Sequence, residues 1–130
     1  MSEQEFELWF SNLITKYPRV FKNLSYLECS EGWKNIIAVL CGTIERHIEN
    51  AVPEEVKDEI YAVQIKEKFG GLRFYMSHST PYIDGAIMAI EQLSYFVCED
   101  CGAPSEKNSS PKRMIKTLCR KCNDKYRSMG

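Results

Sequence analysis

The chain has 130 residues, of which 44% are apolar, 27% charged and 12% aromatic, values that exclude a wholly disordered or low-complexity protein. A length of this order supports one real core, or one domain with a small appendage. The formal net charge is −1, so a whole-protein basic field for nucleic acid is absent.

The first ten residues carry acids at Glu3, Glu5 and Glu7 and no base, which is not a secretory signal. The longest apolar run, Ile36 to Cys41, is far too short to span a bilayer. A cytoplasmic protein is expected.

Glu3 to Tyr17 reads as an amphipathic helix, with Phe6, Trp9, Phe10, Leu13, Ile14 and Tyr17 at three- and four-residue steps. Ser2 and Glu5 form a capping-box pattern, and Pro18 stops the helix. Residues 19–29 read as a loop with a short turn. Ser30 is expected to cap a second helix whose buried stripe is Trp33, Ile36, Ile37, Leu40, Ile44 and Ile48. It should end near Asn50, before a short acidic turn opened by Pro53.

From Ile60 the period becomes two. Tyr61, Val63 and Ile65 should face one way, with Ala62, Gln64 and Lys66 opposite. After Phe69-Gly70-Gly71, Leu72, Phe74 and Met76 alternate with Arg73, Tyr75 and Ser77, which predicts a hairpin. A two-residue and a four-residue loop both keep that parity, so the register stays open. Thr80-Pro81 opens a third helix at N-cap and N1, with Ile83, Ile87, Ile90, Ser94 and Val97 along one face. That helix is expected to run straight into Cys98.

Cys98-Glu99-Asp100-Cys101 and Cys119-Arg120-Lys121-Cys122 are two C-x-x-C pairs separated by 17 residues, a spacing that predicts a zinc site. Zinc takes four tetrahedral ligands and accepts thiolates well, and two intervening residues let one turn present both sulfurs. Gly102 supplies freedom for positive φ after the first pair, and Asn123 could play that part in the second. Four cysteines close the coordination sphere, so the expected metal is one structural Zn2+.

Charge is uneven. Residues 1–97 hold nine bases and fourteen acids, and residues 98–130 hold eight bases and four acids. Lys107, Lys112, Arg113, Lys116, Arg120, Lys121, Lys125 and Arg127 crowd the metal module, which admits a phosphate-binding face or an ordinary solvated surface. Lys66, Lys68 and Arg73 near the hairpin read as a small basic edge or as protection of an exposed strand.

No catalytic constellation stands out, and the chain is expected not to be an enzyme. His47 lies beside a buried helical stripe, and His78 follows the second strand among hydroxyls. Catalysis would require both to converge with the acidic cluster Glu54, Glu55, Asp58 and Glu59. Cys41 reads as a small core residue, and Cys29 as a loop thiol near a helix start. Leu8, Met88 and Tyr95 sit off the main stripes and mark second apolar faces.

Gln64-Ile65-Lys66-Glu67-Lys68-Phe69-Gly70-Gly71-Leu72-Arg73-Phe74-Tyr75, followed by Cys98-Glu99-Asp100-Cys101-Gly102-Ala103-Pro104 and Thr117-Leu118-Cys119, resembles a family of small, mostly uncharacterised phage and prophage proteins. The resemblance is densest over residues 63–122. In that family a histidine often stands at the position of Cys122 and a glycine at that of Ser105. The resemblance implies phage or prophage origin and action by binding host machinery, including defence systems.

The expected fold is α+β: three main helices packed on a two-stranded antiparallel hairpin, with a C-terminal four-cysteine zinc ribbon. Residues 1–97 should form the core domain and residues 98–130 a module rigidly continuing the third helix. The expected core is Trp9, Phe10, Leu13, Trp33, Ile37, Leu40, Ile44, Val63, Ile65, Phe74, Met76, Ile87 and Ile90. The expected function is non-enzymatic binding of a host protein. The alternative is a zinc-ribbon regulator that binds nucleic acid.

Overall fold

The computed structural model describes residues 1–106 and 115–128, the side chain of Arg127 excepted. The fold is α+β. Helix α1 spans Glu3–Lys16, α2 Lys34–Ala51, α3 Pro81–Ser94 and α4 Arg120–Ser128; strands β1, Ala62–Lys68, and β2, Gly71–Met76, form one antiparallel hairpin. Short 3-10 turns occupy Glu31–Trp33 and Glu54–Glu59.

Local chemistry sets most of the boundaries. Ser2 accepts the Glu5 amide while Glu5 accepts the Ser2 amide, so the capping box opens α1. Thr80 Oγ1 accepts the Ile83 amide and Pro81 takes the first turn of α3. Ser30 does not cap α2 with its side chain. The 3-10 turn intervenes, and the Ser30 amide instead donates to Glu99 Oε2 at 3.2 Å.

The hairpin loop has two residues, because Lys68 pairs with Gly71. Phe69 and Gly70 have φ of 52° and 83°, the sign pattern of a type I′ turn whose twist matches the strands. A β-bulge between Ala62 and Gln64 breaks the expected alternation. One extra residue on β1 resets the parity, so Ala62 and Ile65 are fully buried while Val63 is 45% exposed. The expected core position of Val63 is thus corrected.

The edges of the hairpin are already occupied. On the β1 side the Glu28 amide donates to Ile65 O and Glu28 O accepts from the Glu67 amide. On the β2 side the Leu72 amide donates to Ser94 Oγ and the Phe74 amide to Glu91 Oε2, each at 2.9 Å. These groups would otherwise template a partner strand.

The core lies between α2, the inner hairpin face and α3, around Trp33, Ile37, Leu40, Ile44, Ile48, Ile65, Leu72 and Ile83. Trp9, Phe10, Met76, Ile87 and Ile90 are only partly buried and pack against it. The segment read as a loop contributes Val20, Phe21 and Leu24 to the core. Its backbone is held by Glu45, whose carboxylate accepts the Arg19 amide at 3.1 Å and the Val20 amide at 3.0 Å.

Burial raises the Glu45 carboxyl above its ordinary 4.5, against the two amides, which pull it down. The folded state therefore holds this proton more tightly than the unfolded chain. The resulting contribution favours folding below about pH 4.5 and is lost as pH rises through the folded value. Urea midpoints at pH 4 and pH 7 should show the wild type losing stability relative to Glu45→Gln as pH rises. Glu45→Ala, which leaves both amides unpaired, should cost about 3 kcal/mol.

Among the described residues no helix is long and apolar enough to cross a membrane.

Candidate metal centre

Helix α3 ends at Ser94, with Tyr95 as its C-cap. The chain reaches Cys98 through a turn and an isolated bridge between Val97 and Pro104, not as a continuous helix. The physical reason is the first cysteine knuckle, which folds back on itself. The Cys98 amide donates to Ala103 O at 2.8 Å and the Gly102 amide to Cys98 O at 2.9 Å. Gly102 has φ 85°, the left-handed backbone expected after the first pair.

The second pair is built differently. Cys119 directly precedes α4 and Cys122 lies in its first turn, with the Asn123 amide donating to Cys119 O at 2.9 Å. Asn123 is therefore helical, and the expectation of a left-handed turn there is corrected. Among the described residues only Phe69 combines a side chain with positive φ. A helix turn presents residues three apart on one side, so it brings Cys119 and Cys122 together as well as a second knuckle would.

The four sulfurs of Cys98, Cys101, Cys119 and Cys122 all lie within 4.8 Å of one another. Cys101 Sγ and Cys119 Sγ are 3.6 Å apart, well beyond the ~2.05 Å of a disulfide. A tetrahedral ion with metal–sulfur bonds of about 2.3 Å spaces its sulfurs by about 3.8 Å, so the cluster fits one metal ion. The Cys122 amide draws the Cys119 thiol down to about 7, whereas burial and the neighbouring thiols hold Cys122 up. Thiolate is the ligating form.

The centre is wired into the core. The Gly32 amide donates to Glu99 O at 2.7 Å, and Trp33 Nε1 donates to Val97 O at 2.9 Å. A Cβ on Gly32 would overlap the carbonyl oxygens of Cys98 and Glu99, so only glycine admits this approach. The Glu99 amide donates to Thr117 O at 2.9 Å, which ties the segment before Cys119 to the first knuckle. Thr117 Oγ1 in turn donates to Gly70 O at 2.6 Å in the hairpin turn. Cys98, Thr117 and Leu118 are fully buried. The metal module thus clamps the start of α2 to the tip of the hairpin.

Gly32, Trp33, Glu99 and Thr117 position the ligands, and the sequence reading did not assign them to the site. The available signal was weak: a Gly-Trp pair at a helix start and a carboxylate inside a C-x-x-C. Glu99 is buried with Oε1 unpartnered among the described residues, and that burial raises its carboxyl. Lys116 lies 3.6 Å from Asp100 and donates to Tyr126 OH at 3.0 Å, a cation beside a site that four thiolates and a divalent ion would leave at −2.

The other singled-out residues are placed elsewhere. His47 Nε2 meets Thr80 Oγ1 at 3.0 Å and its ring stacks on Tyr82 at 4.3 Å. His78 is exposed, with Nδ1 at 3.2 Å from Glu59 O. Glu54 pairs with Lys57 at 3.0 Å and Asp58 with Arg19 at 3.5 Å. Among the described residues the four cysteines are the one group placed to hold a metal ion. Cys41 is buried in α2, and burial pushes the Cys29 thiol up to about 12, the opposite of an activated nucleophile. Lys107, Lys112 and Arg113 lie outside the described residues, as does the side chain of Arg127.

Comparison with models of protein families, with curated proteins and with solved structures finds no match.

Proposed function

We propose that the four cysteines hold one zinc ion as a structural staple and that the protein acts by binding, with a host protein as its partner. The observation that carries the reading is the closed set of four sulfurs within 4.8 Å, tied to the core. Such a sphere offers no position for water or substrate, so the metal contributes stability and not chemistry. The resemblance of residues 64–75 and 98–104 to phage and prophage proteins supports a host partner and a phage or prophage origin. It makes the bacterial cytoplasm the working compartment and a component of host defence, inhibited or triggered, the class of target.

A second reading rests on α4, where Arg120, Lys121 and Lys125 are exposed beside the metal centre. These cations favour a regulator that binds nucleic acid through the metal module.

Affinity capture from bacterial lysate, with and without nuclease, separates the two. The expected result is one discrete protein enriched in both conditions. Enrichment that disappears with nuclease would support the second reading. Metal analysis of the purified chain should give about one zinc per protein, and any other dominant metal would overturn the assignment.

A further inference from the structure

Phe69 holds a left-handed backbone, φ 52°, at a turn position that favours Asn or Gly. The residue is 65% exposed, so core packing does not explain why a bulky side chain stands there. Strain at an exposed position points to function.

The side chains around it share one surface. Ile65, Leu72 and Phe74 fill the inner face of the hairpin. The outer face therefore carries Lys66 opposite Arg73 and Gln64 opposite Tyr75. Tyr75 is 40% exposed. Lys68 Nζ lies 5.9 Å from the centre of the Phe69 ring. The Arg73 guanidinium is oriented by Leu72 O at 2.9 Å and Tyr95 OH at 3.1 Å, not by a carboxylate. Among the described residues Lys66, Lys68 and Arg73 form no salt bridge. The neighbouring acids are turned to hydrogen bonds, Glu67 to the Gly70 amide, Glu28 to the side-chain Nε2 of Gln64 and Glu91, whose charge also acts on Arg73, to the Phe74 amide.

We propose that this outer hairpin face binds single-stranded nucleic acid, with bases stacking on Phe69 and Tyr75 and phosphates meeting Lys66, Lys68 and Arg73. A sheet face that combines exposed aromatic rings with cations outside salt bridges supplies both terms of single-strand binding. An acidic protein would meet the same cations but offers no series of planar rings to Phe69 and Tyr75, which favours nucleic acid. The site differs from the α4 surface and goes beyond the protein-partner reading, on which it does not depend.

The metal-loaded 130-residue chain is titrated with a fluorescein-labelled oligothymidylate of about 20 nucleotides, longer than the ~4–16 nucleotides of a compact single-strand site. Binding should weaken with salt and resist competition by polyglutamate. Phe69→Asn should weaken it about tenfold, and Tyr75→Thr likewise. Asn suits the left-handed turn, so the Phe69→Asn protein should unfold at or above the wild-type temperature, which separates lost binding from lost fold. Lys66→Gln with Lys68→Gln should flatten the log–log salt slope by about 1.4. Lys121→Gln with Lys125→Gln should leave affinity within about twofold.

Absence of salt-sensitive binding would overturn the proposal. So would equal competition by polyglutamate, which would assign the face to an acidic protein. Loss of binding with the α4 pair, while Phe69→Asn and Tyr75→Thr bind as wild type, would move the site to the metal module. Each of these results leaves the nuclease-resistant capture of a host protein unchanged, so the two readings fail separately.

Discussion

Chelation of the metal should unfold residues 115–128 while the core around Trp33 and Ile37 survives. Ordering this segment costs about 1.5 kcal/mol per residue, roughly 20 kcal/mol in all. Against that, its fully buried residues are Thr117 and Leu118, and burying one leucine returns only about 2–3 kcal/mol. Helix α4, Arg120–Ser128, has nine residues, too few to be stable in isolation. A metal ion held by the four sulfurs would add its binding free energy to folding, and that contribution decides the balance. Cys101→Ser should have the same effect, because Cys101 is exposed and its loss disturbs no packing. The expected readouts are loss of bound metal, loss of helical circular dichroism of the size of α4, and fast exchange of the Glu99 amide, which is bonded to Thr117 O. Cys29→Ala should keep its metal. If Cys101→Ser retained stoichiometric metal and an unchanged spectrum, the cluster would not be a metal centre.

Gly32→Ala should destabilise the protein by about 3 kcal/mol or more and weaken metal retention with it. The atoms a Cβ would strike are the backbone carbonyls of Cys98 and Glu99, which cannot swing aside as a side chain would. Moving the knuckle away breaks the bond from the Gly32 amide to Glu99 O and strains those from the Ser30 amide and Trp33 Nε1. Each hydrogen bond contributes about 1 kcal/mol net, and a buried carbonyl left unpaired costs more. Gly85→Ala is the matched control. Gly85 lies within α3 and a Cβ there meets nothing within 4 Å, so this change should stabilise by up to about 1 kcal/mol. Denaturant midpoints and the half-time of metal loss to a chelator would test both. A Gly32→Ala protein as stable as wild type would show that the knuckle does not dock on α2.

Legibility in the sequence followed the range of the interactions. The capping box of Ser2 and Glu5, the Thr80-Pro81 helix start and the stripe of α2 were all readable, because each is decided within one or two helical turns. The cysteine cluster was readable too, since C-x-x-C is itself a short-range geometry and zinc chemistry supplies the rest. The Val63 error came from a single inserted residue: a bulge inverts parity for everything before it, and no residue type announces one. The cap expected at Ser30 is absent because a 3-10 turn, Glu31–Trp33, intervenes before α2, and the Ser30 side chain bonds none of its amides.

The sequence by itself determined the α+β class, the hairpin, the starts of α1 and α3 and the four clustered cysteines, all of which depend on local periodicity or on side-chain chemistry at fixed spacing. Tertiary structure alone decided the rest. It wrapped Val20, Phe21 and Leu24 into the core through the buried carboxylate of Glu45. It ended α3 three residues before the first knuckle turns, and it seated that knuckle on Gly32. It placed the Phe69 turn against Thr117, joining hairpin and metal centre. These contacts link segments far apart in the chain: the Glu45 carboxylate and Thr117 Oγ1 reach distant backbone groups, and at Gly32 two backbones approach where no side chain intervenes. Close approach of that kind is a property of packed surfaces, and no local pattern of residues encodes it.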